Sequence, residues 1–269
     1  MRNLLKSKRF LVPVTVILVV SIVLSASSTV RQKIRETWMF VLLNTFPSRF
    51  KKVNFRKLSN EKNKIYLLGT THRHFGSDGY SLRDISAVIK NLRPDILLVE
   101  SRPEQLQQGN LGDGPPEMLF AHLFARSRDI PVKGMDWWNM EMSPGTTTEK
   151  RDDKMVENVL RAVSGKEKVL ILTGFTHVIR FIPRLVDAGY ERVGFGKNRK
   201  EELFEKGSGR LVFPEKVEYY LRKRIQHDKD LLQDIEDPEW EKALTNVIES
   251  FESVLATVEE GRKEEGKNG

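Results

Sequence analysis

The tetrapeptides Gly69-Thr70-Thr71-His72 and Gly174-Phe175-Thr176-His177 each close a short apolar run, KIYLL and KVLILT, in a chain with only five histidines. Between them in sequence, DILLVE ends a third such run in Glu100. Two imidazoles and a carboxylate at one sheet edge would suit Zn²⁺, Mn²⁺ or Co²⁺, an ion that activates water for hydrolysis. The chain contains no cysteine, so any metal must take nitrogen and oxygen ligands, and disulfides are excluded. The candidate ligands are His72, His177 and Glu100, with Glu100 either a third ligand or the general base. Arg102 and Asp136 also follow strand signals and are candidate substrate contacts, and Trp137 and Trp138 could line the cleft. His74 reads as loop, and His122 and His227 receive no role. Taken singly, these residues have plainer readings: a hydrogen-bonded strand-end histidine, a solvated glutamate, a capping aspartate. The matched pair of motifs favours a shared site.

The elements that must position these groups alternate. KIYLLG, DILLVE, IPVKGMD and KVLILT read as strands. SLRDISAVIKNL, PEMLFAHLFARSRD, DDKMVENVLRAV and HVIRFIPRLVDAG read as helices. The first has Ser81 and Asp84 spaced as a capping box, and the last bends or starts late at Pro183. The expected fold is α/β: a mostly parallel sheet flanked by helices, with an N-terminal transmembrane helix and an appended C-terminal helical hairpin. In such sheets, functional groups gather beyond the carboxyl ends of the strands. The segment EQLQQGNLGDGPP reads as an exposed loop. Two helices follow residue 213. The second is capped by Asp237 with Pro238 in its first turn, and has a nearly heptad-like stripe from Trp240 to Val258. The stripe packs on the body or joins two copies of the chain as a homo-oligomer. The reading divides the chain into an anchor or signal segment (1–28), a basic juxtamembrane linker (29–62), the α/β core (63–197), a helical extension (198–261) and a disordered tail (262–269).

The net charge of +8 is unevenly placed. Up to Asn60 there are 12 Lys/Arg against one acid, Glu36, while the remainder carries 33 basic and 36 acidic residues. A basic stretch beside the 17-residue apolar run FLVPVTVILVVSIVLSA points to anionic lipid headgroups, and nothing in the pattern suits nucleic acid. The run is read as an uncleaved single-pass anchor or a cleaved signal. Arg2, Lys6, Lys8 and Arg9 favour a body on the extracytoplasmic side.

The segment YLLGTTHRHFGSDGYSLRDISAVIKNLRPDILLVESRPEQL resembles the opening of the TraB/PrgY/TIKI family, within the erythromycin esterase/ChaN-like superfamily. RDDKMVENVL resembles that family's Arg-Asp/Asn-x-x-Met helix, and TGFTHVIRFIPRLVDAGY its second G-x-x-H. The likeness covers about Lys64 to Val193. It implies a metal-dependent peptidase acting on a peptide or protein substrate, with His72, His177 and Glu100 as metal ligands. It also implies Arg151 as a further polar residue, suited to stabilising an oxyanion. After Asp136 this chain has DWWNMEM where many relatives have Arg. The rival readings are a metal-free esterase-like hydrolase with a histidine base, a non-catalytic peptide- or haem-binding protein, and a membrane scaffold.

Overall fold

In the computed structural model, residues 54–71, 81–137, 148–196, 199–204 and 213–267 are described. The strands among them form one six-stranded sheet. They are β1 (Phe55–Ser59), β2 (Lys64–Thr70), β3 (Ile96–Val99), β4 (Val132–Gly134), β5 (Lys168–Gly174) and β6 (Glu191–Arg192), in the order β4-β3-β5-β2-β1-β6. Strands β4, β3, β5 and β2 run parallel, while β1 is antiparallel to both its neighbours. The four expected strands are all present. The sheet starts earlier than the apolar runs suggest, however, because β1 lies within the stretch read as linker.

Strands β2 and β5 are buried at every position but the first. Continuous apolar runs of this kind mark strands covered on both faces. The cover comes from helices α1 (Leu82–Leu92), α3 (Pro116–Arg126), α4 (Thr148–Ala162) and α5 (Phe175–Asp187), with the short α2 (Pro103–Gln107) following β3. On one face Ile65, Leu67, Leu98 and Ile171 pack with Met155 and Val159 of α4 and Phe181 of α5. The intervening residues Leu68, Leu97, Leu170 and Leu172, also buried, point the other way by the two-residue period of a strand. The capping box of α1 forms as expected: Asp84 N donates to Ser81 Oγ (3.2 Å) and Ser81 N to Asp84 Oδ2 (3.0 Å). Helix α5 departs from expectation. It begins at Phe175, directly after β5, and carries Pro183 inside it.

The C-terminal region contains α6 (Arg199–Phe204) and the hairpin of α7 (Val217–Leu232) and α8 (Pro238–Lys267). The Asp237 carboxylate accepts from Glu239 N (2.8 Å) and Trp240 N (3.3 Å), which confirms the cap. The α8 stripe is largely used within the chain, since Leu244, Ile248, Phe251, Val254 and Val258 are buried, and α8 packs on α7 and α3. The stretch read as a disordered tail is helical through Lys267. Arg262 anchors it through Glu218 (3.0 Å), and Gly261 packs against the Phe213 ring. The loop read as exposed is also partly internal, with Leu111 and Asp113 buried. Among the described residues no helix is long and apolar enough to cross a membrane, and the N-terminal apolar run lies outside them.

His122 sits on the packed face of α3, only 4% exposed, and neither ring nitrogen has a hydrogen-bond partner among the described residues. Burial, helped by Arg126, pushes its pKa down to about 4. The folded value lies below the unfolded one of about 6.5, so the unfolded chain takes the proton first as pH falls. Stability is therefore lost from about pH 6.5 downward, and the loss is complete below about pH 4, at roughly 3 kcal/mol. Urea unfolding at pH 7 and pH 4.5 should show this loss in the wild type. A His122→Leu variant should lack that share of it, and identical pH profiles would refute the expectation.

Candidate active site

Glu100 immediately follows β3, and its carboxylate reaches across to the end of neighbouring β5. Its Oε2 accepts from Thr173 Oγ1 (2.8 Å) and from Gly174 N (2.7 Å). Its Oε1 faces two cations. Arg151 Nη2 donates to it at 3.0 Å, and His177 Nε2 lies 3.4 Å away. The strand order puts β5 between β3 and β2, so residues on these adjoining strand ends are brought to one edge.

His177 is the third residue of α5, reached without a connecting loop, which fixes its direction tightly. On its other side, Nδ1 pairs with Oδ1 of Asp152, a carboxylate with no exposure. Arg180, one turn further along α5, places Nη1 3.4 Å from the second oxygen of Asp152. Burial alone would discharge the imidazole. Glu100 and Asp152 outweigh it and hold its pKa at about 9.

Arg151 lies beside Asp152 at the start of α4 and grips Asp136, which follows β4. Nε donates to Oδ1 (2.9 Å) and Nη2 to Oδ2 (2.6 Å), a two-point arrangement that fixes the guanidinium plane. Burial opposes its charge, but Asp136 and Glu100 raise its pKa above the ordinary arginine value. Asp136 Oδ1 also accepts from Trp137 N (2.7 Å). The Trp137 ring has Lys150 Nζ 5.5 Å from its centroid.

Four of the expected site residues therefore meet: Glu100, Arg151, Asp136 and His177. Arg102 lines the same cleft without joining this cluster, its Nε and Nη2 donating to Asp113 Oδ1 at 3.0 and 2.9 Å. His72, His74 and Trp138 lie outside the described residues. The strand leading to His72 is well defined, because Thr70 pairs with Gly174 in register and its Oγ1 donates to buried Glu117 (2.6 Å). Thr71, the last residue described before His72, lines the cleft. The first-motif glycine proves to serve packing. A Cβ at Gly69 would lie 2.9 Å from Phe175 Cα and from Val178 Cγ2, so α5 can approach β2 only over a glycine.

Sequence reasoning missed Asp152, although a signal existed. Asp152, Met155, Val156 and Val159 are the buried residues of α4 and follow helical spacing, which places an acid on the apolar face. An acid in that position needs a partner.

A divalent metal can be tested against this donor set. Two ligands about 2.1 Å from a tetrahedral ion lie about 3.4 Å apart, which matches the separation of His177 Nε2 and Glu100 Oε1. A metal-bound histidine also typically gives its other nitrogen to a carboxylate, as His177 does to Asp152. Among the described residues no group of three histidines or acids is arranged to hold an ion, so a third ligand has to come from elsewhere. Comparison of the chain with protein-family models, curated proteins and solved structures finds no match.

Proposed function

We propose that this chain is a membrane-anchored hydrolase of the TraB/TIKI kind, cutting a peptide or protein substrate at the site of Glu100 and His177. The observation that carries the reading is one imidazole braced by a buried carboxylate on Nδ1, with its Nε2 facing Glu100 Oε1 beside an open cleft. His177 and His72 would hold a divalent ion (Mn, Co or Zn), with Glu100 a third ligand or the general base, and the ion would supply a water acidic enough to lose its proton and attack a carbonyl as hydroxide. Asp152 sets the tautomer of His177 and prevents the ring from turning. As the base, Glu100 would take the proton from the attacking water, and Arg151, 3.0 Å from it, would place positive charge at the cleft wall. In this reading the apolar run 10–26 anchors the chain, the basic residues after it lie against anionic headgroups, and the body works on the extracytoplasmic side.

A metal-free hydrolase is favoured by one specific observation. Glu100 Oε1 lies against two cations of the chain itself, Arg151 and His177, and Asp152, His177 and Glu100 already form a continuous carboxylate–imidazole–carboxylate line. Both readings are tested by assaying the purified full chain on quenched peptide libraries, with and without Mn²⁺, Co²⁺ and Zn²⁺. The metal-dependent reading expects about one ion per chain and a fall in cleavage of about 10²- to 10⁴-fold in Glu100→Gln and in His177→Ala. Cleavage that survives chelation selects the metal-free form. A wild type that cuts nothing under any of these conditions sinks both.

A further inference from the structure

The site opens into a cleft of about 910 Å³ whose far wall belongs to the C-terminal hairpin. Thr71, Glu100, Asp136 and Arg151 line it on the sheet side, and Leu231, Leu244, Val247 and Phe251 line it on α7 and α8. The loop after β3 joins the two sides. Near the site, Ser101 Oγ donates to Asp113 O (2.5 Å) and Arg102 N to Asp113 Oδ2 (2.6 Å). At the hairpin, Arg224 Nη1 donates to Gly112 O (2.7 Å), while its Nε bonds buried Asp228 (2.7 Å) and its guanidinium lies 5.5 Å from the Phe251 ring centroid. The hairpin is thus tied to the loop that carries Glu100, and the cleft is one continuous space.

The lining chemistry narrows the occupant. The acids and arginines of the cleft are paired with one another, as Arg102–Asp113, Arg224–Asp228 and Arg151 with Asp136 and Glu100. Lys223 adds positive charge at an exposed position, and the exposed His227 lies beside it in the lining. Most of the remaining polar lining is uncharged: Gln105, Gln108, Asn110, Asn246 and Ser250 offer both donors and acceptors. Such groups match the N–H and C=O of a polypeptide backbone; Asn110 Nδ2 donates to Gln105 Oε1 (2.8 Å), and Gln108 and Asn246 stand exposed at the rim. Leu231 is 39% exposed in the same wall, and Val247 is half-buried beside it in the lining. A volume at the upper end of small-ligand pockets accommodates a segment of several residues.

We propose that the hairpin is the specificity wall of the enzyme: it binds an extended polypeptide and selects an apolar side chain through Leu231 and Val247, at a fixed distance from the bond held at Glu100 and His177. The inference rests on the hydrolase reading for the position of that bond, whereas peptide binding itself can be read separately. The probes are fluorescein-labelled decapeptides in a Gly/Ala/Gln background, with each position in turn set to Leu, Phe, Ser or Asp. Binding to the full chain, wild type and Glu100→Gln, is followed by anisotropy. At one position, Leu or Phe should bind at least tenfold tighter than Ser or Asp. In Leu231→Ser/Val247→Ser, with its circular dichroism unchanged, that ratio should fall below threefold. Leu231→Ser alone, at an exposed position, gives the same reading should the double variant not fold. No positional preference, or a preference that survives the substitutions, overturns the proposal. So does a fluorescent fatty acid that binds the cleft and that no peptide displaces. Peptides bound with the expected preference yet never cut would uphold the wall and remove the hydrolase. Cutting without the preference would do the reverse.

Discussion

Gly114→Ala is expected to destabilise the protein by about 3 to 5 kcal/mol and to displace Glu100. Gly114 adopts φ +90°, a conformation that L side chains rarely enter. A Cβ there would lie 2.2 Å from the backbone oxygen of Glu100 and 2.9 Å from Ser101 Oγ, so the loop and the strand end cannot both stay in place. A control lies in the same loop. Gly109 has φ +81° with nothing within 4 Å of its would-be Cβ. Gly109→Ala should therefore show only the backbone strain, about 1 to 2 kcal/mol. Urea unfolding of both variants separates the two contributions. Equal losses would mean that the close approach to Glu100 has no energetic weight. In the hydrolase reading proposed above, cleavage by Gly114→Ala should fall together with stability. In Gly109→Ala the rate should hold.

Asp152→Asn should cost about 3 to 5 kcal/mol at neutral pH, although it changes the side-chain volume little. The wild-type carboxylate is wholly buried and neutralises two cations from α5, His177 and Arg180. Removing its charge strips the carboxylate from His177 Nδ1, leaving Glu100 on the other side of the ring, and takes the Asp152 charge from Arg180, a costly way to break a buried pair. A double-mutant cycle with His177→Ala should recover a coupling of about 2 kcal/mol or more, because the two groups are in direct contact. A loss below 1 kcal/mol for the single variant would mean that Glu100 alone suffices to hold the charge of His177. The ¹⁵N shift of the imidazole gives a second readout, since Nδ1 should lose its strong hydrogen bond.

The parallel strands were legible because burial on both faces leaves continuous apolar runs, and the strand ends followed from those runs. Strand β1 was not legible. Its sequence FRKLS mixes two buried residues with Arg56 and Lys57, and the surrounding basic residues point to a linker. The start of α5 was hidden by Pro183, which marks a helix end in isolation. Here the contacts of Phe181 and Leu185 hold the helix on both sides of it. At the site, Glu100, Asp136, Arg151 and His177 could be named from strand ends and motif. The pairing of His177 with Asp152 could not, because it depends on how α4 lies against α5. The same limit applies to the cleft, since no pattern in α8 indicates which of its faces looks toward Glu100.

The position of β5 also governs when the protein can come together during synthesis. Within the parallel core strands β2 and β3 are made first, yet they do not pair with each other; β5 lies between them, and its partner Lys64 is 104 residues from Lys168. A nascent chain that stops short of residue 174 therefore holds two apolar strands with open edges and no means of closing them. Contacts so distant in sequence slow folding and leave such edges open to wrong partners. The last strand of the parallel core to be made is also the one that delivers His177 to Glu100, so the candidate site and a closed parallel core arrive in the same event.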